Sequence, residues 1–156
     1  MNRTVIAAVG LLVIGLVIGS LSFAQMGTPF TPKQGSYEGI PYITGGVGLG
    51  ERELMNRMAH DYNLKLSFAT APSGKYLSDV QIVITRAGGG RVFEAVSEGP
   101  WLFTRLPAGH YSVTATAEGK TLYQEVHVMG RGLAQANIFW KESKMCLLNG
   151  DRICGG

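Results

Sequence analysis

The sequence predicts an all-β protein: a seven-stranded antiparallel β-sandwich preceded by an export signal, a linker and one short helix. Three observations carry that expectation. Beyond residue 63 apolar and polar residues alternate in short runs. Glycine and proline turn signals separate the runs at roughly 8 to 12 residue spacings, as in antiparallel sandwiches. No helical pattern comes between them, which disfavours a parallel α/β sheet. With 156 residues, 46% hydrophobic and 16% charged, the chain holds one folded domain and is too apolar for a disordered one. Its net charge of +3 comes without a run of like charges, so no nucleic-acid partner is expected.

Residues 1–24 read as a signal peptide. Arg3 precedes an unbroken small and apolar run, residues 5–19, and Ser22 and Ala24 are the small residues a signal peptidase requires, which places cleavage between Ala24 and Gln25. The competing reading is an uncleaved anchor, since about 20 apolar residues span a bilayer. Either way the remainder is exported, periplasmic or extracellular, or tethered with the domain outside the cytoplasm. A membrane contact follows only if the segment stays uncleaved.

Residues 25–50 carry Pro29, Pro32 and Pro41 among many glycines and read as a flexible linker. Residues 51–62 form an amphipathic helix: Leu54, Met55, Met58, Ala59 and Tyr62 recur at helical spacing after Leu49, with Glu51, Arg52, Glu53, Arg57 and Asp61 opposite. Glu51 and Glu53 suit the positive end of the helix dipole. In residues 63–140 the period becomes two. Leu64, Leu66 and Phe68 begin the strands, followed by Val80, Ile82 and Ile84, by Val92 and Val96, and by residues 101–105. Tyr111, Val113 and Ala115 make the fifth, Leu122, Val126 and Val128 the sixth, and Ala134, Ala136, Ile138 and Trp140 the last. Residues 63–69 and 101–105 are the expected sheet edges, open to strand addition.

The segment 76–128 resembles the carboxypeptidase regulatory-like domain, a transthyretin-like (prealbumin-like) sandwich with many exported bacterial members. The matching pieces are Tyr76-Leu77-Ser78-Asp79-Val80-Gln81-Ile82, Gly99-Pro100-Trp101 and, above all, Leu106-Pro107-Ala108-Gly109-His110-Tyr111. That resemblance implies a non-catalytic module, because the zinc of metallocarboxypeptidases belongs to a separate domain opening with a His-x-x-Glu pair. Nothing here matches that pair: Asn63, Val113 and Gly130 follow the three histidines at that spacing. The turn also reads on its own. Pro107 and Gly109 make a tight reversal, and Tyr111 can bury its ring while returning its hydroxyl to nearby backbone.

No motif supports catalysis. His60, His110 and His127 are isolated in sequence, and Gly46-Val47-Gly48-Leu49-Gly50 lacks the strand that a phosphate-cradling loop follows. There is no Gly-x-Ser-x-Gly, and Asp79 suits a turn. No catalytic residue, metal or cofactor is expected. Trp101, Phe103, Tyr123 and Trp140 form the candidate binding surface for an unknown protein or carbohydrate partner in the envelope, and of the neighbours Phe139 and Trp140 one must face out. The expected function is a structural or protein-interaction role, with carbohydrate or small-ligand binding through exposed strand aromatics as the alternative; a hydrolase ranks below both and would need a pocket joining His110 or His127 to carboxylates. Residues 141–156 form a tail in which Cys146 and Cys154 fit a disulfide hairpin, an even cysteine count being typical of exported chains. Closing that loop of about nine residues is worth about 2.6 kcal/mol by chain entropy.

Overall fold

The computed structural model describes residues 31–142. The signal segment with its cleavage point at Ala24 and Gln25, and the cysteine pair Cys146 and Cys154, lie outside the described residues. Within them are nine strands and one α-helix: β1 (Lys33–Tyr37), β2 (Ile40–Gly45), α1 (Leu49–Met58), β3 (Leu64–Ala71), β4 (Val80–Arg86), β5 (Arg91–Ser97), β6 (Trp101–Thr104), β7 (Gly109–Ala117), β8 (Lys120–Val128) and β9 (Ala134–Lys141). They form a five-stranded sheet in the order β1-β2-β6-β3-β9 and a four-stranded sheet in the order β5-β4-β7-β8. Strands β3 to β9 are the seven the sequence predicts.

Their alternation is what closes the core. Leu64, Leu66 and Phe68 of β3, Val80, Ile82 and Ile84 of β4, and Val113 and Ala115 of β7 are fully buried between the two sheets, each pointing inward because every second side chain of a strand shares a face. Trp140 closes one end of that core. Its ring meets Phe68 edge-on at 6.3 Å and its Nε1 donates to the Lys120 carbonyl at 3.0 Å. The turn into β7 is built as expected: buried Tyr111 donates its hydroxyl hydrogen to the Pro107 carbonyl at 2.7 Å, and Arg86 Nη2 donates to the same hydroxyl at 3.3 Å.

The structure corrects four expectations. First, the sandwich has nine strands, because residues 33–45 of the supposed linker form the β1–β2 hairpin. Glu38 and Gly39 have φ of 47° and 83°, the two-residue turn whose twist matches paired strands. Pro41 is accommodated because the N–H and C=O of one strand residue point the same way, and its carbonyl faces β6, accepting from Thr104 Oγ1 at 3.0 Å. The missing donor therefore falls where pairing with β6, which starts at Tyr42, has not begun. Second, the assembly is not wholly antiparallel, since β3 and β9 pair parallel from Leu64↔Ala134 to Ala71↔Lys141. The chain crosses to the other sheet and back twice between them, which supplies the long connection that parallel neighbours need.

Third, the expected edges are interior: β6 lies between β2 and β3, and β3 between β6 and β9. The hairpin covers one and the last strand covers the other, so the edges are β1, β9, β5 and β8. Fourth, the helix begins two residues early at Leu49, and its last turn tightens into a 3₁₀ segment, Ala59–Asp61. Glu51 is buried although the periodicity places it on the polar face. Its Oε2 accepts the Val47 N–H at 2.9 Å, tying the loop before the helix to its first turn, while Gly48 at the N-cap has no side chain to offer. No helix among the described residues is long and apolar enough to cross a membrane.

Candidate functional site

The four aromatic residues singled out by the sequence do not share a surface. Trp140 is inside the sandwich, and Phe103 is fully buried on the outer side of the five-stranded sheet beneath α1. Trp101 is half-buried beside it, and Tyr123 projects from β8 on the opposite sheet, 75% exposed. Of the neighbouring pair, Phe139 is the one that faces out.

Register decides what surrounds Trp101. Leu64, Leu66 and Phe68 point into the core, so Lys65, Ser67 and Ala69 point to the outer face of β3. Lys65 stands level with Phe103 and Gln135, and Ser67 with Trp101 and Asn137. Ala69 stands level with Phe139 on β9 and, through an isolated bridge, with Tyr76 on the other side. Tyr76 thus continues the column of β6. With strands about 4.8 Å apart, the exposed Tyr76 and Phe139 flank Ala69 at roughly 10 Å from one another. Ser67 Oγ donates to Asn137 Oδ1, leaving the amide hydrogens of Asn137 without a hydrogen-bond partner among the described residues.

Helix α1 completes this face. Met55 seats on Ile43 and Phe103, with Tyr62 edge-on to Phe103 at 6.3 Å. That docking brings Arg52 over Tyr76, 5.1 Å from the ring centroid, with Nη1 donating to the Tyr76 hydroxyl at 3.1 Å. The Lys65 ammonium lies 3.5 Å from the Trp101 centroid, and Trp101 stacks on Phe103 at 6.1 Å. Burial pushes the Lys65 amine below the ordinary lysine value. Among the described residues neither Lys65 nor Arg52 is in an ion pair. Two cations held by aromatic faces therefore border a strip of neutral polar groups. Sequence periodicity could have placed Lys65, Ser67 and Phe139 on one face. Tyr76 and Arg52 join them only through an isolated bridge and a docked helix, for which no local pattern exists.

Of the remaining chemistry-bearing residues, two histidines meet and the others stand elsewhere. His110 and His127 face each other across β7 and β8 with parallel rings 4.1 Å apart, while His60 Nδ1 bonds the Arg57 carbonyl at 2.8 Å. No group of three or more metal-ligating side chains occurs among the described residues. The glycine-rich loop before α1 already holds the chain's own Glu51 carboxylate where an anion would sit. Asp79 has φ 56° and leads into β4, a turn position. A cleft of about 460 Å³ between β8 and β9 is lined by Gln124, His127, Arg131, Leu133 and Gln135 among others. The chain matches no protein-family model and no curated protein.

Proposed function

We propose that this is an exported, non-catalytic β-sandwich module of the carboxypeptidase regulatory-like kind, which binds a partner in the cell envelope through the outer face of its five-stranded sheet. The observation that carries the reading is the grouping of Arg52 and Lys65, free of ion pairs among the described residues, with exposed Tyr76 and Phe139 on one rigid face. Exposed aromatic and arginine side chains on a fixed scaffold are common anchors of recognition. Export is supported by the apolar N-terminal run with its small-x-small site and by the two cysteines. The family likeness is supported by the two-sheet architecture and by the Tyr111 to Pro107 bond of the shared turn.

The test places a photoreactive residue at position 139 or 76, or at position 123 or 96 on the other sheet, in cells that export the protein. Adducts from 139 and 76, and none from 123 and 96, are the expected result. Adducts from the four-stranded sheet alone, or none from any position, would refute the assignment of the face.

A further inference from the structure

Resting on that reading of the face, we infer that its occupant is an acidic polysaccharide, with a sugar ring on Phe139 and sugar carboxylates on Arg52 and Lys65. The layout of the face separates a saccharide from a protein partner. Protein interfaces centre on an apolar, water-excluding cluster with a polar rim. Here polar and aromatic groups alternate instead: Ser67 and, on the edge strand β9, Asn137 lie level with Trp101, and the rings of Tyr76 and Phe139 stand apart on either side of Ala69. A pyranose has one face of C–H groups, which suits an aromatic ring, and a rim of hydroxyls, which suits the free amide hydrogens of Asn137 and the exposed Gln135. The face is open, as a polymer that runs across a sheet requires.

Charge then selects the kind of saccharide. Arg52 and Lys65 form no ion pair with a carboxylate within the described residues, and the Glu51 carboxylate is turned inward to the Val47 N–H. Arg52 is braced by Tyr76 and by the Gly48 carbonyl, which its Nε reaches at 3.4 Å, so its fork is held rather than free to fold away. A guanidinium and an ammonium on one face complement the carboxylates of a uronate chain, and a neutral glycan would leave both charges without a counter-charge. Trp101 and Tyr76 are positioning residues, since their rings are occupied by Lys65 and Arg52.

The experiment titrates the full-length protein with a galacturonate hexamer and with neutral cellohexaose by calorimetry, and repeats both with Arg52→Gln, Lys65→Gln and, on the far sheet, Arg91→Gln. The expected result is binding of the uronate alone, weakened about tenfold by each of the first two substitutions and unchanged by the third. Wild-type affinity should also fall as salt rises, a readout that needs no variant. Equal binding of the two hexamers, or uronate binding indifferent to Arg52 and Lys65, would overturn the inference. If neither hexamer binds while a photoreactive residue at 139 captures a protein, the saccharide is wrong and the docking face stands. Failure of both experiments removes both.

Discussion

Met55 is the single fully buried side chain that helix α1 places on the sheet, and truncating it tests how the candidate face is held together. The helix has little stability of its own. It is ten residues long, contains Gly50, and begins at Gly48 without a side-chain cap, whereas isolated helices shorter than about 12 to 15 residues are marginal in water. Its persistence therefore comes from docking. Removing a fully buried methionine side chain beyond Cβ forfeits about 1.5–3 kcal/mol of transfer free energy, and the cavity left against Ile43 and Phe103 adds to it. The better helix propensity of alanine offsets only about 0.2 kcal/mol. Met55→Ala should thus cost about 3 kcal/mol in urea unfolding. Because the Met55 cluster is separate from the sandwich core, amide exchange should accelerate first in residues of α1, with β4 and β7 keeping more of their protection. A loss below about 1 kcal/mol with α1 protection unchanged would refute the claim that this contact seats the helix.

Two further outcomes follow from particular contacts. A Cβ at Gly99 would stand 2.3 Å from the Gly45 carbonyl oxygen and 2.6 Å from its carbon, so the end of β2 would have to move. Gly99→Ala should cost about 1–3 kcal/mol or more, while Gly130→Ala, which meets open space, should stay within about 0.5 kcal/mol. Equal effects in thermal unfolding would show that the approach of the two backbones is not tight. Glu142 accepts from the Ser73 hydroxyl and from Thr70 Oγ1, the latter at 2.7 Å, and these bonds hold its carboxyl below the usual glutamate range. A depressed folded value means stabilisation that is present above the unfolded pKa and lost as pH falls through the folded one. The melting-temperature difference between wild type and Glu142→Gln should accordingly appear at neutral pH and vanish in acid, and a difference constant with pH would contradict it.

Alternation and turn chemistry are local properties, and they were sufficient for strands β3 to β9 and for the tyrosine-braced turn at Pro107. The hairpin of β1 and β2 is harder to read because its glycines and Pro41 are ordinarily breakers. Yet Glu38-Gly39 is the same dipeptide as Glu118-Gly119, and both adopt positive φ at each residue between paired strands. The difference is one of neighbours: Leu122 and Val126 announce a strand after the second, whereas Ile40-Pro41-Tyr42 does not until β6 is there to pair with it.

By itself the sequence determined which residues form strands β3 to β9, which way each side chain points along them, and where the chain reverses between them, since those follow from a period of two and from the φ preferences of glycine and proline. Only the tertiary structure decided the strand order, which made the expected edges interior and paired β3 parallel with β9. It also decided which aromatic residues meet solvent and that Glu51 turns inward to hold the loop before its own helix. These depend on contacts between residues far apart in the chain, such as Ala69 with Tyr76 and Arg52 with Tyr76, and no local periodicity encodes the partner across such a distance.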